Sequence, residues 1–456
     1  MPYYTRLFYI FGAYVVWEGA LRKWVWPEGS TLLFVLKDVL LFAAVAALLG
    51  AGEKPQVQVR RVAPLYHAAV ITWVVAILAR IFVDGWTFET LVGLRYYLAP
   101  VPLLILVPRI FGDMDSLEKF AYRAAIFSLP VLALGFVQYL SPLDAPINQY
   151  AWRYSVDEVS GFGVTGYDIG GRFLHDRARV TSTFSYISPY AAYLQFLLFA
   201  SLALLTLSTK TRVRWIAGAV SGLCILNMFM NGSRAAIVTT LVFCLPIIAL
   251  AIQRRSISVT AALSAGIVVL AGIVWADALD LFIARVDSSG DAQSRIMGAA
   301  LMPLATLRDT TFVGFGMGSS FAGMGEYTGT GLVEDAIFNE VIHDRVGIEL
   351  GVAGYLFVLL LKVSVGLAFA HLAWQSRNAK VQAWSLASLA YQMAWLWQIP
   401  FYNSVGAILY LFFVGMYPVL KAYAAGAGAN EELAKRATSR AAGRPLVPTY
   451  ARDVDR

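Results

Sequence analysis

Residues Asp277 to Gly351 read DALDLFIARVDSSGDAQSRIMGAALMPLATLRDTTFVGFGMGSSFAGMGEYTGTGLVEDAIFNEVIHDRVGIELG. The stretch is too polar to cross a membrane and too varied to be a linker. It carries Arg285, Arg295, Arg308 and Arg345, has no lysine, and ends near Glu340, His343 and Asp344. Long apolar runs flank it on both sides. Those runs make the chain a membrane protein and this stretch its largest loop, and any active site is expected beneath it.

Composition agrees. Apolar residues make up 59% of the chain, charged residues only 14%, and mean hydropathy is +0.64. A soluble domain is roughly half apolar and about a quarter charged. Apolar runs of about 18 residues or more, each long enough for a span, recur from end to end. The reading is an all-α polytopic membrane protein with about twelve spans. Their centres fall near residues 13, 41, 72, 100, 130, 195, 222, 243, 266, 358, 389 and 411. The first run, Leu7 to Val16, continues into Glu18-Gly19-Ala20-Leu21-Arg22-Lys23 without a cleavage signal. Residues 1–424 form one transmembrane domain, and 425–456 read as a disordered basic tail.

Basic residues alternate between loops. Lys54, Arg60 and Arg61 follow span two, and Arg109, Lys119 and Arg123 follow span four. Lys210, Arg212 and Arg214 follow span six, Arg254 and Arg255 span eight, Arg377 and Lys380 span ten. The positive-inside rule places these loops and both termini in the cytoplasm, and exports loops 142–183 and 277–345. Arg22-Lys23 runs against the pattern. The basic tail suits anionic lipid, and no aromatic-basic platform for nucleic acid accompanies the charge. Cys224 and Cys244 lie inside apolar runs, so neither supports an exported disulfide or a thiolate metal site.

Both exported loops lack lysine but hold arginine, whose planar fork grips phosphate or carboxylate oxygens in pairs. Asn231-Gly232-Ser233-Arg234 is a tight turn opening a helix. Ser233 suits the cap, and Arg234 beside the free amides suits an anion such as pyrophosphate; the plain alternative is an arginine snorkelling to the interface. Arg95, beside Tyr96 and Tyr97, is either a second anion ligand or an interfacial anchor. Arg177 and Arg179 share a face if extended and bind phosphate or pair with Asp176. Arg295 follows a cap region, Ser288-Ser289-Gly290-Asp291. Gly314-Phe315-Gly316-Met317-Gly318 has the wrong spacing for a dinucleotide fingerprint and reads as a close backbone turn. Glu340, His343 and Asp344 share one helical face, where a carboxylate or imidazole can take a proton from a hydroxyl; otherwise they pair with Arg345. With no second histidine near His343, no metal is expected. Glu18 with Arg22, and Lys37 with Asp38, read as pairs inside the bundle.

With those motifs in view, the sequence resembles the O-antigen ligase/polymerase superfamily of bacterial membrane glycosyltransferases. The resemblance rests on Asn231-Gly232-Ser233-Arg234-Ala235-Ala236, on Arg179 with Thr181-Ser182-Thr183-Phe184, on Gly314–Gly318, and on Glu349-Leu350-Gly351-Val352-Ala353-Gly354. The Glu18–Trp24 stretch also looks like the polymerase-like members. The resemblance implies a GT-C-like fold in a bacterial inner membrane, without cofactor or metal. It implies inverting transfer of a glycan from undecaprenyl pyrophosphate to an acceptor hydroxyl, with arginines on the pyrophosphate. The partners it implies are the lipid-linked glycan, a growing polysaccharide acceptor, membrane lipids and chain-length regulator proteins. Members often carry a His-Asn pair where this chain has Glu340-Val341. That departure favours a repeat-unit polymerase over a ligase acting on a lipid or protein acceptor. Glu340 ranks first and His343 second as base; Arg234, Arg295, Arg179, Arg95 and Arg177 are the pyrophosphate candidates. A flippase or other transporter is the alternative of another class, disfavoured because no internal repeat is visible and the charges gather at one membrane edge.

Overall fold

A computed structural model describes residues 1–52, 64–142, 145–148, 166–169, 172–253, 311–319, 342–396 and 403–441. The side chains of 64–69, 166–178, 234, 342–345 and 427–441 lie outside the description. The helices are α1 (Tyr3–Ala20), α2 (Ser30–Gly50), α3 (Pro64–Asp84), α4 (Phe88–Leu98), α5 (Leu103–Ile110) and α6 (Met114–Leu140). They continue with α7 (Ile187–Leu207), α8 (Thr211–Asn231), α9 (Arg234–Gln253), α10 (Ile342–Gln375), α11 (Ala379–Ala394) and α12 (Ser404–Ala441). Among the described residues, eight helical stretches are long and apolar enough to cross a membrane, with α4 and α5 counting as one. The chain is therefore a multi-pass, essentially all-helical membrane protein.

Of the expected span centres, only residue 266 lies outside the described residues; the others fall on a helix or on the broken stretch Phe88–Ile110. The break in that stretch follows from Pro100 and Pro102, which cannot donate to a helical ladder. Its amides are recovered by tighter bonds: Val101 N to Leu98 O at 3.0 Å and Leu104 N to Val101 O at 2.9 Å. At 16 residues, α11 is about 24 Å long, short of the ~30 Å hydrocarbon core. Two features depart from the sequence reading. The loop 142–183 contains an antiparallel hairpin, β1 (Gly166–Ile169) with β2 (Arg172–Ala178). The helical backbone of α12 runs on to Ala441, into the tail read from the sequence as disordered from residue 425. Alanine, glutamate, leucine, lysine and arginine make up most of 431–441, and these residues favour helix.

Burial sorts the bundle. In α7 and α12, 89% of the apolar window is buried, against 28% in α2 and 33% in α6 and α9. The first two form the centre and the others the lipid-facing rim. Apolar residues surround α7 on every side, as an inner helix requires. Its Phe196 meets Phe412 edge-on at 5.6 Å and Phe413 at 5.4 Å. Where α6 and α11 begin, Lys380 Nζ reaches Asp115 at 2.9 Å and Glu118 at 3.0 Å. Glu18, Arg22, Lys23, Lys37 and Glu349 are buried at the other end, where α1, α3, α6 and α8 finish.

Candidate functional site

The last turns of α1 widen into a π-helical turn, Leu21–Val25, closed by Trp26 N donating to Leu21 O at 2.8 Å. Single π turns recur at functional sites because they rotate side chains out of helical register. This one carries two cations inward: Arg22 is 3% exposed and Lys23 4%. Arg22 Nη1 donates to Glu18 Oε1 at 2.9 Å and to Ser185 Oγ at 3.1 Å, while its Nε reaches Ser30 Oγ at 2.7 Å. Lys23 Nζ donates to Thr181 Oγ1 at 3.1 Å and to Ser182 O. These contacts account for the exception to loop charge alternation, since Arg22 and Lys23 are buried partners rather than solvated loop charges.

Glu18 also accepts from Lys37 Nζ, at 2.9 Å. The expected Lys37–Asp38 pair is thus corrected. Adjacent residues on a helix point about 100° apart, so Lys37 turns to α1 while Asp38 turns to α4. There Arg95 Nε meets Asp38 Oδ2 at 2.6 Å, and Arg95 Nη2 donates to Phe34 O at 3.1 Å. The Phe34 ring lies under three cations: Lys37 at 3.6 Å, Arg95 at 4.1 Å and Arg22 at 5.0 Å from its centroid. Three cations, Arg22, Lys37 and Arg95, thus face two carboxylates in one connected cluster.

The segment Arg179–Ser185 packs directly on the π turn. A Cβ on Gly19 would lie 2.2 Å from Ser185 N, so glycine there admits the passing backbone. Thr183 Oγ1 donates to Val16 O at 2.6 Å. Gln138, near the end of α6, organises the bend: its Oε1 accepts from Ser182 N at 2.6 Å and Thr181 N at 3.3 Å. Ser182 takes a left-handed backbone, φ 50°, unlike any other non-glycine among the described residues. Its Oγ donates to Val131 O at 2.6 Å. Sequence reasoning missed Gln138; the available signal was an amide inside an otherwise apolar run.

The Asn231-Gly232 turn joins this assembly. Gly232 caps α8 in the left-handed region, φ 69°. Asn231 Nδ2 donates to Val180 O at 2.8 Å and Ile187 O at 3.1 Å. Arg179 Nε donates to Asn231 O at 3.2 Å and Nη2 to Gly232 O at 3.3 Å, so this arginine binds the end of α8. Ser233 stands at the N-cap position of α9, its carbonyl accepting from Ile237 N at 3.0 Å. Arg234 opens α9 and Arg177 lies in β2, but both side chains fall outside the description.

A second joint forms where Gly314–Gly318 meets the start of α10. Gly351 breaks that helix with φ 67° and ψ −168°. The break frees carbonyls: Phe315 N donates to Ile348 O at 2.7 Å and Gly316 N to Glu349 O at 3.2 Å. A Cβ on Gly351 would lie 2.3 Å from Gly314 N, and one on Gly93 2.6 Å from Gly318 N. Asp84 Oδ2 accepts from Met317 N at 3.0 Å, and Asp84 Oδ1 pairs with Arg80 at 2.6 Å. Arg80 in turn donates to the carbonyls of Val313 and Glu349. The Glu349 side chain, 1% exposed, accepts from Tyr97 Oη at 2.9 Å. The glycines were legible as a close turn; their partner, Glu349–Gly351, was not.

Helix α4 connects the two joints. Gly93 touches the Gly314–Gly318 loop, Arg95 pairs with α2, and Tyr97 binds Glu349. Beside it opens a water-sized gap of about 20 Å³, lined by Lys37, Asp38 and Leu41 of α2, Arg95 and Tyr96 of α4, and Ser404 and Ile408 of α12. Ala99 and Pro100 of the helix break complete the lining.

Arg95 and Arg179 therefore lie in one continuous assembly. His343 falls in the first turn of α10, its side chain outside the description, and Glu340 and Arg295 lie outside the described residues altogether. Among the described residues no cluster of three His, Cys, Asp or Glu is placed to hold a metal ion. Cys224 and Cys244 are buried free thiols. No protein-family model matches the chain, and no curated protein matches it in sequence.

Proposed function

We propose that this chain is a GT-C-like glycosyltransferase of about twelve spans in a bacterial inner membrane, polymerising lipid-linked oligosaccharide repeat units. The observation that carries this reading is the convergence at one bundle end. The Glu18–Lys23 turn, the Arg179–Ser185 segment, the Asn231–Gly232 turn and the Gly314–Gly318 joint all meet there, beside a small charged gap. Charges held at a membrane edge suit an anionic, lipid-anchored substrate. The alternation of basic loops orients this end outward, with both termini cytoplasmic.

In this reaction the acceptor hydroxyl oxygen bonds to the donor sugar's anomeric carbon as the bond to the pyrophosphate oxygen breaks. Undecaprenyl pyrophosphate leaves with both bonding electrons. The arginine set (Arg234, Arg295, Arg179, Arg95 and Arg177) stabilises charge gathering on that leaving group. Glu340, or His343 one turn on, takes the hydroxyl proton. Chain-length regulators would act on the growing polymer.

The lipid-linked products of a deletion strain test the proposal. Accumulated single repeat units are expected. Full-length chains on the carrier lipid would instead mean a ligase. One observation favours translocation as a second reading: a broken span, together with Lys362, 3% exposed within α10. Intermediates trapped on the cytoplasmic face would establish that reading and exclude the polymerase.

A further inference from the structure

Lys23 is buried on neutral groups alone. Among the described residues its Nζ meets Thr181 Oγ1 at 3.1 Å, Ser182 O, and the face of the Trp24 ring at 4.4 Å. Its neighbours differ: Arg22 and Lys37 share the Glu18 carboxylate. A charge buried without an opposite charge weakens the fold, and an apolar side chain of similar length would sit there at less cost. Stability therefore gives no reason for a lysine here. We infer that Lys23 is a positioning residue for glycan transfer: through the left-handed bend at Ser182 it fixes Arg179, the arginine that meets the carrier pyrophosphate; this rests on the polymerase reading.

The bend is strained and held from two sides. A residue with a Cβ keeps φ 50° only where its surroundings over-determine it, and such residues cluster at functional sites. From α6, Gln138 Oε1 accepts from Ser182 N at 2.6 Å, Gln138 Nε2 reaches Ser182 O at 3.3 Å, and Val131 O accepts from Ser182 Oγ at 2.6 Å. From α1, Lys23 is the group that grips Ser182 itself. The other ties to α1, Thr183 Oγ1 on Val16 O and Arg22 on Ser185 Oγ, lie beyond the bend. Loss of the Lys23 amine would therefore leave the segment docked and release the bend.

Arg179 stands three residues before Ser182, at the outer end of the same run. Thr181, Ser182 and Thr183 are fully buried, whereas Arg179 is half-buried. Between them, Val180 N donates to Met230 O at 3.2 Å and Val180 O accepts from Asn231 Nδ2 at 2.8 Å. Arg179 then commits Nε to Asn231 O and Nη2 to Gly232 O, which leaves Nη1 for an oxyanion. The guanidinium is thus placed by a chain of contacts that starts at Lys23. A displacement of about 1 Å in a group that meets the leaving group can cost about 100-fold in rate.

The test uses the full chain in liposomes with a lipid-linked repeat unit, together with amide exchange across residues 179–185 and thermal midpoints in detergent. Lys23→Met is expected to slow transfer about 10- to 100-fold. It should also speed exchange at Thr181 and Ser182, with a midpoint no lower than wild type because a buried charge has gone. Glycine adopts φ 50° without strain. Adding Ser182→Gly to Lys23→Met should therefore restore most of the lost rate. Adding Lys23→Met to Arg179→Met should slow transfer no further, since Lys23 acts through Arg179. A lower midpoint in Lys23→Met overturns the inference, because the lysine would then serve the fold. So do unchanged exchange at Ser182, no recovery with glycine, or losses that multiply in the Arg179 double variant. Normal transfer by Lys23→Met refutes the positioning role alone. No transfer by wild type refutes the polymerase reading, and faster exchange in Lys23→Met would then leave the lysine a structural tie.

Discussion

Replacing Glu18 with glutamine should damage the structure more than any other single change in the charged cluster. Its two oxygens serve two cations, Arg22 and Lys37, each at 2.9 Å, with all three side chains no more than 4% exposed. Removing one partner of a buried ion pair costs about 3–5 kcal/mol, because the remaining charge stays buried and uncompensated. Glu18→Gln leaves two such charges, so the upper part of that range is expected. Lys37→Met alone leaves Glu18 still paired with Arg22 and should cost less. The double variant Glu18→Gln/Lys37→Met removes one charge of each sign. It should be more stable than the sum of the single changes by about 0.5–3 kcal/mol, the usual coupling between contacting residues. Denaturation midpoints of the detergent-solubilised full chain, followed by loss of monodisperse elution, would measure the cycle. A Glu18→Gln midpoint equivalent to within about 0.5 kcal/mol of wild type, or strict additivity in the double variant, would refute the argument that this carboxylate holds the α1–α2 corner.

Gly351→Ala should undock the Gly314–Gly318 loop, since an alanine at φ 67° is strained and its Cβ would press on Gly314 N at 2.3 Å. Limited proteolysis within 277–345 should accelerate several-fold; an unchanged cleavage rate would contradict the joint. For the base, Glu340→Gln should abolish glycan transfer while donor binding persists, and loss confined to His343→Ala would move the role to His343. Normal turnover by both variants would exclude this helix as the source of the base. For topology, periplasmic reporters should be active when fused at Gly290 and inactive at Gly426; the reverse pair would invert the orientation.

Hydropathy made the helices legible because lipid leaves the backbone no partner except itself. The end of the bundle that gathers the motifs was legible through punctuation, in Asn231-Gly232 and the spaced glycines at 314, 316 and 318, whereas the break at Pro100 and Pro102 was read as the centre of one span. Pairing was harder to read. Lys37 looked like the partner of Asp38 because they are adjacent, yet a helix sends neighbours to different faces. Glu349 and Tyr97 are 252 residues apart and meet only because α4 and α10 share the joint. Arg179 read as an anion ligand, and its geometry assigns at least Nε and Nη2 to the carbonyls ending α8. The π turn at Leu21–Val25 had no signal in periodicity, since five residues shift the phase by less than the scatter of an apolar run.

The most direct test of the central claim is reconstitution of the purified full chain in liposomes with a defined lipid-linked repeat unit and no other protein. The polymerase account predicts a ladder of carrier-linked products rising one repeat unit at a time, with one carrier pyrophosphate released per new linkage. Unchanged single repeat units, in liposomes where the same protein moves them across the bilayer, would contradict it.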